Sequence, residues 1–352
     1  MGQEGISTMK VARRWAAGLA AAVAVTTTAT AVAAVPDRAG VSVAPERQAA
    51  VAAATDASRQ SAGADRRPLV IAHRAGTADF PENTVRAIDG ALAHKVDMMW
   101  LSVQVSRDGV PVLYRPGDLS ALTDGMGRVA DHDAAELTRL NAGFQFKDAS
   151  GDHPYRKHPT PLPTLEEALR RIPQRMGVLL DMKSPDAQTL VPAIAKTLDA
   201  LQSEGRKEWQ RVRFYSTEKP NLDAMASHPR ARLFEDRDTT RTRLVTSRLT
   251  GNCLNAPRKG TWAAFELRRD VTVAEKFTLG EGRSPVNKAL MWDRTAAACF
   301  HTHPGVRTVL IGIETKDDYT TAQGLGAYAV LADSPAQMMK IKNEAPKATA
   351  PH

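Results

Sequence analysis

The sequence predicts an α/β fold in the form of a single parallel (β/α)8 barrel. Three observations carry that reading. From Pro68 to about Ile341 short β-rich runs alternate with amphipathic helical stretches, and no internal repeat of solenoid length interrupts them. The candidate strands are near-continuous apolar runs, the pattern of a parallel sheet buried on both faces. The 352 residues, 43% hydrophobic and 24% charged, supply a sizeable core and exclude a disordered chain. Length alone permits two domains, but α/β barrels run to roughly 250 residues as one unit, which leaves room here for tails.

Taken in order, residues 1–34 place Lys10, Arg13 and Arg14 before an Ala/Val/Thr run ending in Ala31-Val32-Ala33. Basic, apolar and small-residue segments in that order read as a secretory signal peptide cleaved after Ala33 or close by; an uncleaved anchor is the lesser alternative, since the run is Ala/Thr-rich and weakly hydrophobic for a span. Its removal takes away three basic residues and Glu4 and lowers the net charge from +8 to +6. Residues 35–66 are Ala-rich with scattered polar residues and no apolar period, which predicts a disordered linker. The barrel is placed at 67–342, with 237–305 as a divergent or inserted region and 343–352 as a disordered tail.

Strands are expected at Leu69–His73, Met98–Val105, Val112–Arg115, Val178–Lys183, Val212–Ser216, Arg232–Glu235, Ala263–Leu267, Ala289–Trp292, Val309–Glu314 and Ala327–Ala332. These ten exceed the eight a barrel needs, so one or two are accessory. Helices are expected at Thr84–His94, Ala134–Asn141, Leu165–Arg171, Asp186–Leu201 and Asp317–Leu325, with a further candidate at Asn221–Met225.

Two cysteines exclude a disulfide-scaffold miniprotein and a multi-thiolate metal site; in an exported chain Cys253 and Cys299 are expected to pair. The basic balance, 47 Lys+Arg against 39 Asp+Glu, permits anionic partners, but no basic-aromatic motif supports nucleic-acid binding. The first strand ends in His73-Arg74, where a parallel barrel opens onto its active-site face. Pro81-Glu82-Asn83-Thr84 follows and opens a helix, and Leu179-Leu180-Asp181-Met182-Lys183 ends a later strand with a carboxylate and an ammonium. Arginine and lysine converging on one mouth make an anion site, and phosphate is the usual ligand. Glu266, Asp293 and Glu314 also lie near strand ends and could enter the pocket, whereas His301-Thr302-His303 reads as exposed polar surface.

These motifs, with Ser106-Arg107-Asp108-Gly109-Val110-Pro111-Val112, Leu122-Thr123-Asp124-Gly125, Pro163-Thr164-Leu165-Glu166-Glu167-Ala168-Leu169 and Leu331-Ala332-Asp333-Ser334-Pro335, resemble the glycerophosphodiester phosphodiesterase family of TIM (β/α)8 barrels. The resemblance implies hydrolysis of glycerophosphodiesters with calcium or magnesium, held by a Glu-x-Asp pair and a later acidic residue, and two histidines as acid and base. The first histidine then matches His73, its phosphate-binding neighbour Arg74, and the later acidic ligand and lysine Asp181 and Lys183. The chain departs from the pattern at Trp100-Leu101-Ser102, where the family has Glu-x-Asp, and at Arg115-Pro116, where it has His-Asp. Asp181 with a serine hydroxyl cannot hold a hard cation tightly, so no resident cofactor is expected and calcium or magnesium would bind weakly at most. Arginine is a poor general acid but can supply the lost metal's positive charge, as it does in the metal-independent bacterial phosphatidylinositol-specific phospholipases.

The expected catalytic set is therefore His73, Arg74, Arg115 and Lys183, and the expected substrate-binding set is Glu82, Asn83, Trp100, Ser102 and Asp181. The function read from these residues is a secreted, divergent family member acting on or binding a phosphodiester, phosphate-bearing small molecule or envelope polymer. A catalytically inactive anion-binding barrel and an enzyme of another class reusing the pocket remain open.

Overall fold

The computed structural model describes residues 67–346. The expected signal peptide, the expected linker and all but the first four residues of the expected tail lie outside the described residues. Seven parallel strands form the sheet: β1 (Leu69–His73), β2 (Met98–Val105), β4 (Gly177–Met182), β5 (Val212–Tyr215), β6 (Trp262–Glu266), β9 (Arg307–Ile311) and β10 (Ala329–Ala332), in the order β5-β4-β2-β1-β10-β9-β6. The two edges are bridged by residues 232–235. Phe214 N donates to Arg232 O at 2.8 Å, Phe234 N to Phe214 O at 2.9 Å, and Glu235 N to Trp262 O at 2.8 Å. This segment, expected as a full strand, supplies the eighth stave as a short bridge and makes the curled sheet a TIM-like barrel.

Two expected barrel strands lie elsewhere. The Val112–Arg115 run becomes β3 (Pro111–Leu113), antiparallel to β2 because the Asp108-Gly109 turn sends the chain straight back, with Gly109 at φ 80°. Ala289–Trp292 is the end of β8 (Gly280–Leu290), which pairs only with β7 (Arg268–Phe277) in a long exposed hairpin. The helices are α1 (Val85–Ala93), α2 (Ala134–Leu137), α3 (Leu165–Arg171), α4 (Ala187–Ser203), α5 (Glu208–Arg211), α6 (Lys219–Ala226), α7 (Arg237–Thr250), α8 (Arg294–Phe300), α9 (Lys316–Gly324) and α10 (Pro335–Glu344). The expected helix over Ala134–Asn141 stops after one turn, and α10 runs past the boundary expected at 342. Thr84, Thr164, Asp186, Asp236, Asp293, Thr315 and Ser334 cap their helices through side-chain oxygens.

Strand periodicity then sorts the barrel. One set of positions packs outward under the helices, as with Val70, Ala72, Met99, Leu101, Val178 and Leu180. The alternate set fills the interior with Ile71, Met98, Trp100, Leu179, Tyr215, Phe234, Ala264, Val309 and Leu331. Continuing the inward register to the C-terminal strand ends brings up His73, Ser102 and Asp181, with Asp333 just past β10. Cys253 and Cys299 are joined in a disulfide, Cα–Cα 5.0 Å, that ties the loop after α7 to α8. No helix among the described residues is long and apolar enough to cross a membrane.

Candidate functional site at the barrel mouth

The turn from β1 into α1 carries the first group of side chains, and its backbone is held in an uncommon conformation. Arg74, Ala75 and Asn83 have φ of 50°, 66° and 60°, a region that costs an L-residue roughly 1–2 kcal/mol. Two hydrogen bonds to β2 hold it, Ala75 N to Trp100 O at 3.2 Å and Ser102 N to Asn83 Oδ1 at 2.9 Å, and a third closes the turn on itself, Asn83 N to Arg74 O at 2.8 Å. The strained turn places Arg74 beside Glu82, where its Nη1 donates to Oε2 at 2.8 Å. Arg115, which leaves the end of β3, donates Nε to the other oxygen, Oε1, at 2.9 Å. Glu82 is thus a buried clasp between two guanidiniums. Burial pulls its carboxyl upward, but Arg74 and Arg115 outweigh that and hold it below the usual carboxylate range.

His73 is paired across the closing strand: its Nδ1 lies 2.5 Å from Asp333 Oδ1. A carboxylate on one ring nitrogen orients the imidazole and leaves Nε2 available for proton transfer. Burial raises Asp333, the hydrogen bond and charge of His73 lower it, and the net position is below the ordinary value. Asp181, the register partner of Ser102, holds Lys183 at 3.0 Å. Its burial pushes its carboxyl up, against the pull of Lys183, His73 and Arg74. His73 and Arg74 from the end of β1 thus lie within electrostatic reach of Asp181 on β4.

Trp100 belongs to the barrel interior, 2% exposed, with ring centroids 4.9 Å from Tyr215, 6.1 Å from Phe234 and 6.4 Å from His73. The ring is barrel core, yet its Nε1 has no partner. The same holds for Arg74 Nε, Asn83 Nδ2, Ser102 Oγ and Asp181 Oδ1. Four of these five buried, unpartnered atoms can donate a hydrogen bond and one can only accept. A set so rich in donors suits an oxyanion. It does not fit a divalent cation, which needs several oxygen ligands, mostly charged, whereas the only free carboxylate oxygen offered from β2 and β4 is Asp181 Oδ1, the other oxygen of that carboxylate being paired with Lys183. Among the described residues no group of three or more His, Cys, Asp or Glu side chains could hold a metal ion.

Eight of the nine expected site residues stand at the mouth, with Glu82 and Asp181 as partners of the cations, and Trp100 lies in the interior layer beneath them. The sequence analysis missed Asp333, the partner of His73, and Arg237, which donates to the named Glu266 at 2.5 Å and to the Tyr215 hydroxyl at 3.3 Å. A carboxylate closing the last strand was the available signal for Asp333. Asp293 is instead a helix cap bound to Arg248, and Glu314 and the His301/His303 pair are exposed.

Comparison with known proteins agrees with this geometry. The model of the glycerophosphoryl diester phosphodiesterase family matches residues 73–258. Uncharacterized protein Rv2277c of Mycobacterium tuberculosis is 47% identical over 269 residues, covering 76% of this chain and 87% of that protein. The crystal structure of its glycerophosphoryl diester phosphodiesterase domain superposes with a TM-score of 0.72 at 45% identity, covering 78% of this chain and 99% of that one. A Bacillus subtilis glycerophosphodiester phosphodiesterase is 34% identical over 124 residues, 34% of this chain and 41% of that protein. An Oleispira antarctica phosphodiesterase in complex with sn-glycerol-3-phosphate shares the fold, with a TM-score of 0.55 at 19% identity over 79% of this chain and 97% of that one. By its motifs, its barrel and these matches, the chain belongs to the glycerophosphoryl diester phosphodiesterase family.

Proposed function

We propose that the chain is exported, binds a small phosphodiester at the barrel mouth, and cleaves it without the divalent cation that the family resemblance implies. The observation that carries this reading is the donor-rich set of unpartnered atoms beside two arginines and a carboxylate-oriented histidine. Arg74 and Arg115, held apart by Glu82, take the non-bridging phosphate oxygens and supply the positive charge that a metal would supply. His73 Nε2 accepts the proton of a substrate hydroxyl adjacent to the ester. The hydroxyl oxygen bonds to phosphorus, the bond from phosphorus to the leaving oxygen breaks, and Lys183 Nζ protonates that oxygen. The products are a five-membered cyclic phosphate and an alcohol; the proton on His73 then returns to Lys183 through solvent. Trp100 closes the barrel beneath the phosphate, and its indole N–H adds one donor.

Phosphorus NMR of a glycerophosphodiester incubated with the protein in EDTA tests the scheme. A cyclic phosphate resonance is expected, and His73→Asn lowers turnover by about 100- to 10,000-fold, the usual contribution of a general base, while binding persists because Arg74 and Arg115 keep their hold on the phosphate. Tight binding with no turnover by the wild-type protein would make this an inert anion-binding barrel.

A further inference from the structure

The opposite end of the barrel carries a second concentration of positive charge that the mouth chemistry does not use. A cavity of about 380 Å³ opens among the N-terminal strand ends, within the range of small-molecule sites. Arg175, Arg211, Arg213 and Arg232 line it, against a single carboxylate, Asp97. That carboxylate is already taken by Lys342 at 2.5 Å and by Val70 N at 2.6 Å, and Arg211 is matched by Glu208 at 2.6 Å. Three guanidiniums are left without a carboxylate partner among the described residues. Arg213 and Arg232 bond only to main-chain oxygens, of Leu233 at 3.0 Å and Gln210 at 2.6 Å.

Their placement follows from the register. Arg213 precedes Tyr215 by two residues on β5, so it occupies the interior-facing position one layer below, while Arg232, two residues before Phe234, stands exposed at the rim of the cavity. A (β/α)8 barrel ordinarily fills such a layer with branched apolar side chains. Here Arg213 lies over the Trp262 ring at 4.3 Å, and Arg307, the inward position on β9, lies over Tyr328 at 4.7 Å. Burial, with Arg232 adding to it, pushes the Arg213 guanidinium down to about 10, so it stays charged at neutral pH without a counter-ion. The interior layer of Ile71, Trp100, Leu179, Tyr215 and Phe234 separates this cavity from the mouth.

We propose that this end of the barrel is a second anion site, taking a phosphate group on Arg175, Arg213 and Arg232 with Trp262 as the adjoining apolar wall. Three converging guanidiniums exceed the charge of one carboxylate and match a phosphate dianion. A free phosphorylated small molecule and a lipid headgroup present that same chemistry, and the test separates them.

The probes are inorganic pyrophosphate and phosphatidylglycerol vesicles, titrated calorimetrically into the full mature chain carrying Arg115→Ala, which weakens the mouth. Pyrophosphate is expected to bind one strong equivalent, weakened by about tenfold or more on adding Arg213→Gln with Arg232→Gln. Arg175→Gln alters an exposed side chain and is expected to weaken it severalfold without changing the melting temperature, so it decides the matter if the double variant fails to fold. Arginine-dependent binding of vesicles but not pyrophosphate would support the site with a headgroup as its source. Binding of neither probe, or binding equal in both sets of variants, would overturn the proposal.

Discussion

Arg115→Ala separates the structural from the functional role of the arginine that stands where the family places a histidine. In the folded protein Arg115 spends Nε on Glu82 at 2.9 Å and is 36% exposed in its side chain, leaving its terminal nitrogens for a ligand. Removing it does not strand the buried carboxylate, because Glu82 keeps Arg74 Nη1 at 2.8 Å and the Thr77 hydroxyl at 2.9 Å. The stability loss should therefore stay near 1 kcal/mol, not the 3–5 expected when a buried charge loses its only partner, and the melting temperature should fall by about 2–4 °C. Anion affinity should suffer more. One charge-assisted hydrogen bond contributes about 1.5–3 kcal/mol, so binding of phosphate and of a glycerophosphodiester at the mouth should weaken by about 10- to 150-fold. Arg115→Lys should restore part of it, since an ammonium keeps the charge but cannot hold Glu82 and present a second donor edge together. Calorimetric titration with a parallel thermal melt reads both effects. Equal affinity in wild type and Arg115→Ala would refute the reasoning and leave the arginine as a clasp for Glu82.

Four further outcomes follow from the same contacts. Counting thiols under denaturing, non-reducing conditions should find none in the mature chain; reducing the Cys253–Cys299 bond, which closes a separation of 46 residues, should cost about 4 kcal/mol in the chain-entropy picture. Glu82 has a folded pKa below its unfolded value, so its stabilisation is present above the unfolded pKa near 4.3 and lost as pH falls through the lower folded value. Urea unfolding at pH 7 and pH 3 should accordingly show a weaker acid destabilisation in Glu82→Gln than in wild type. Replacing Trp100 by Ala should cost about 3–5 kcal/mol, read by denaturant unfolding, because the ring fills the barrel against Tyr215 and Phe234. Exported protein should begin close to residue 34 on N-terminal sequencing; an intact Met1 would contradict export by cleavage.

The barrel was legible because strands buried on both faces read as unbroken apolar runs: Leu69–His73 and Met98–Val105 appear at their expected bounds. The β7–β8 hairpin escaped because both its faces are exposed and its sequence mixes Thr, Glu, Lys and Gly without a buried side. Helix α7 escaped for a related reason: Arg and Thr dominate Arg237–Thr250, and only Thr240, Leu244 and Ser247 are buried. At the mouth, residue types and resemblance named His73, Arg74, Asp181 and Lys183, yet their partners needed three dimensions. His73 and Asp333 lie 260 residues apart, and nothing local marks the pair. Likewise Glu82 reads as part of a helix-opening motif, and its clasp of Arg74 and Arg115 follows only once β3 turns back along β2.

The central claim is that guanidiniums have taken over the charge a metal would provide. Calorimetric titration of a glycerophosphodiester into the His73→Asn chain, whose turnover is suppressed, once in EDTA and once in millimolar calcium, tests it most directly. The account predicts the same affinity in both, because every charged donor at the mouth belongs to the protein. Binding that appears only with calcium would contradict it and return the metal to the site.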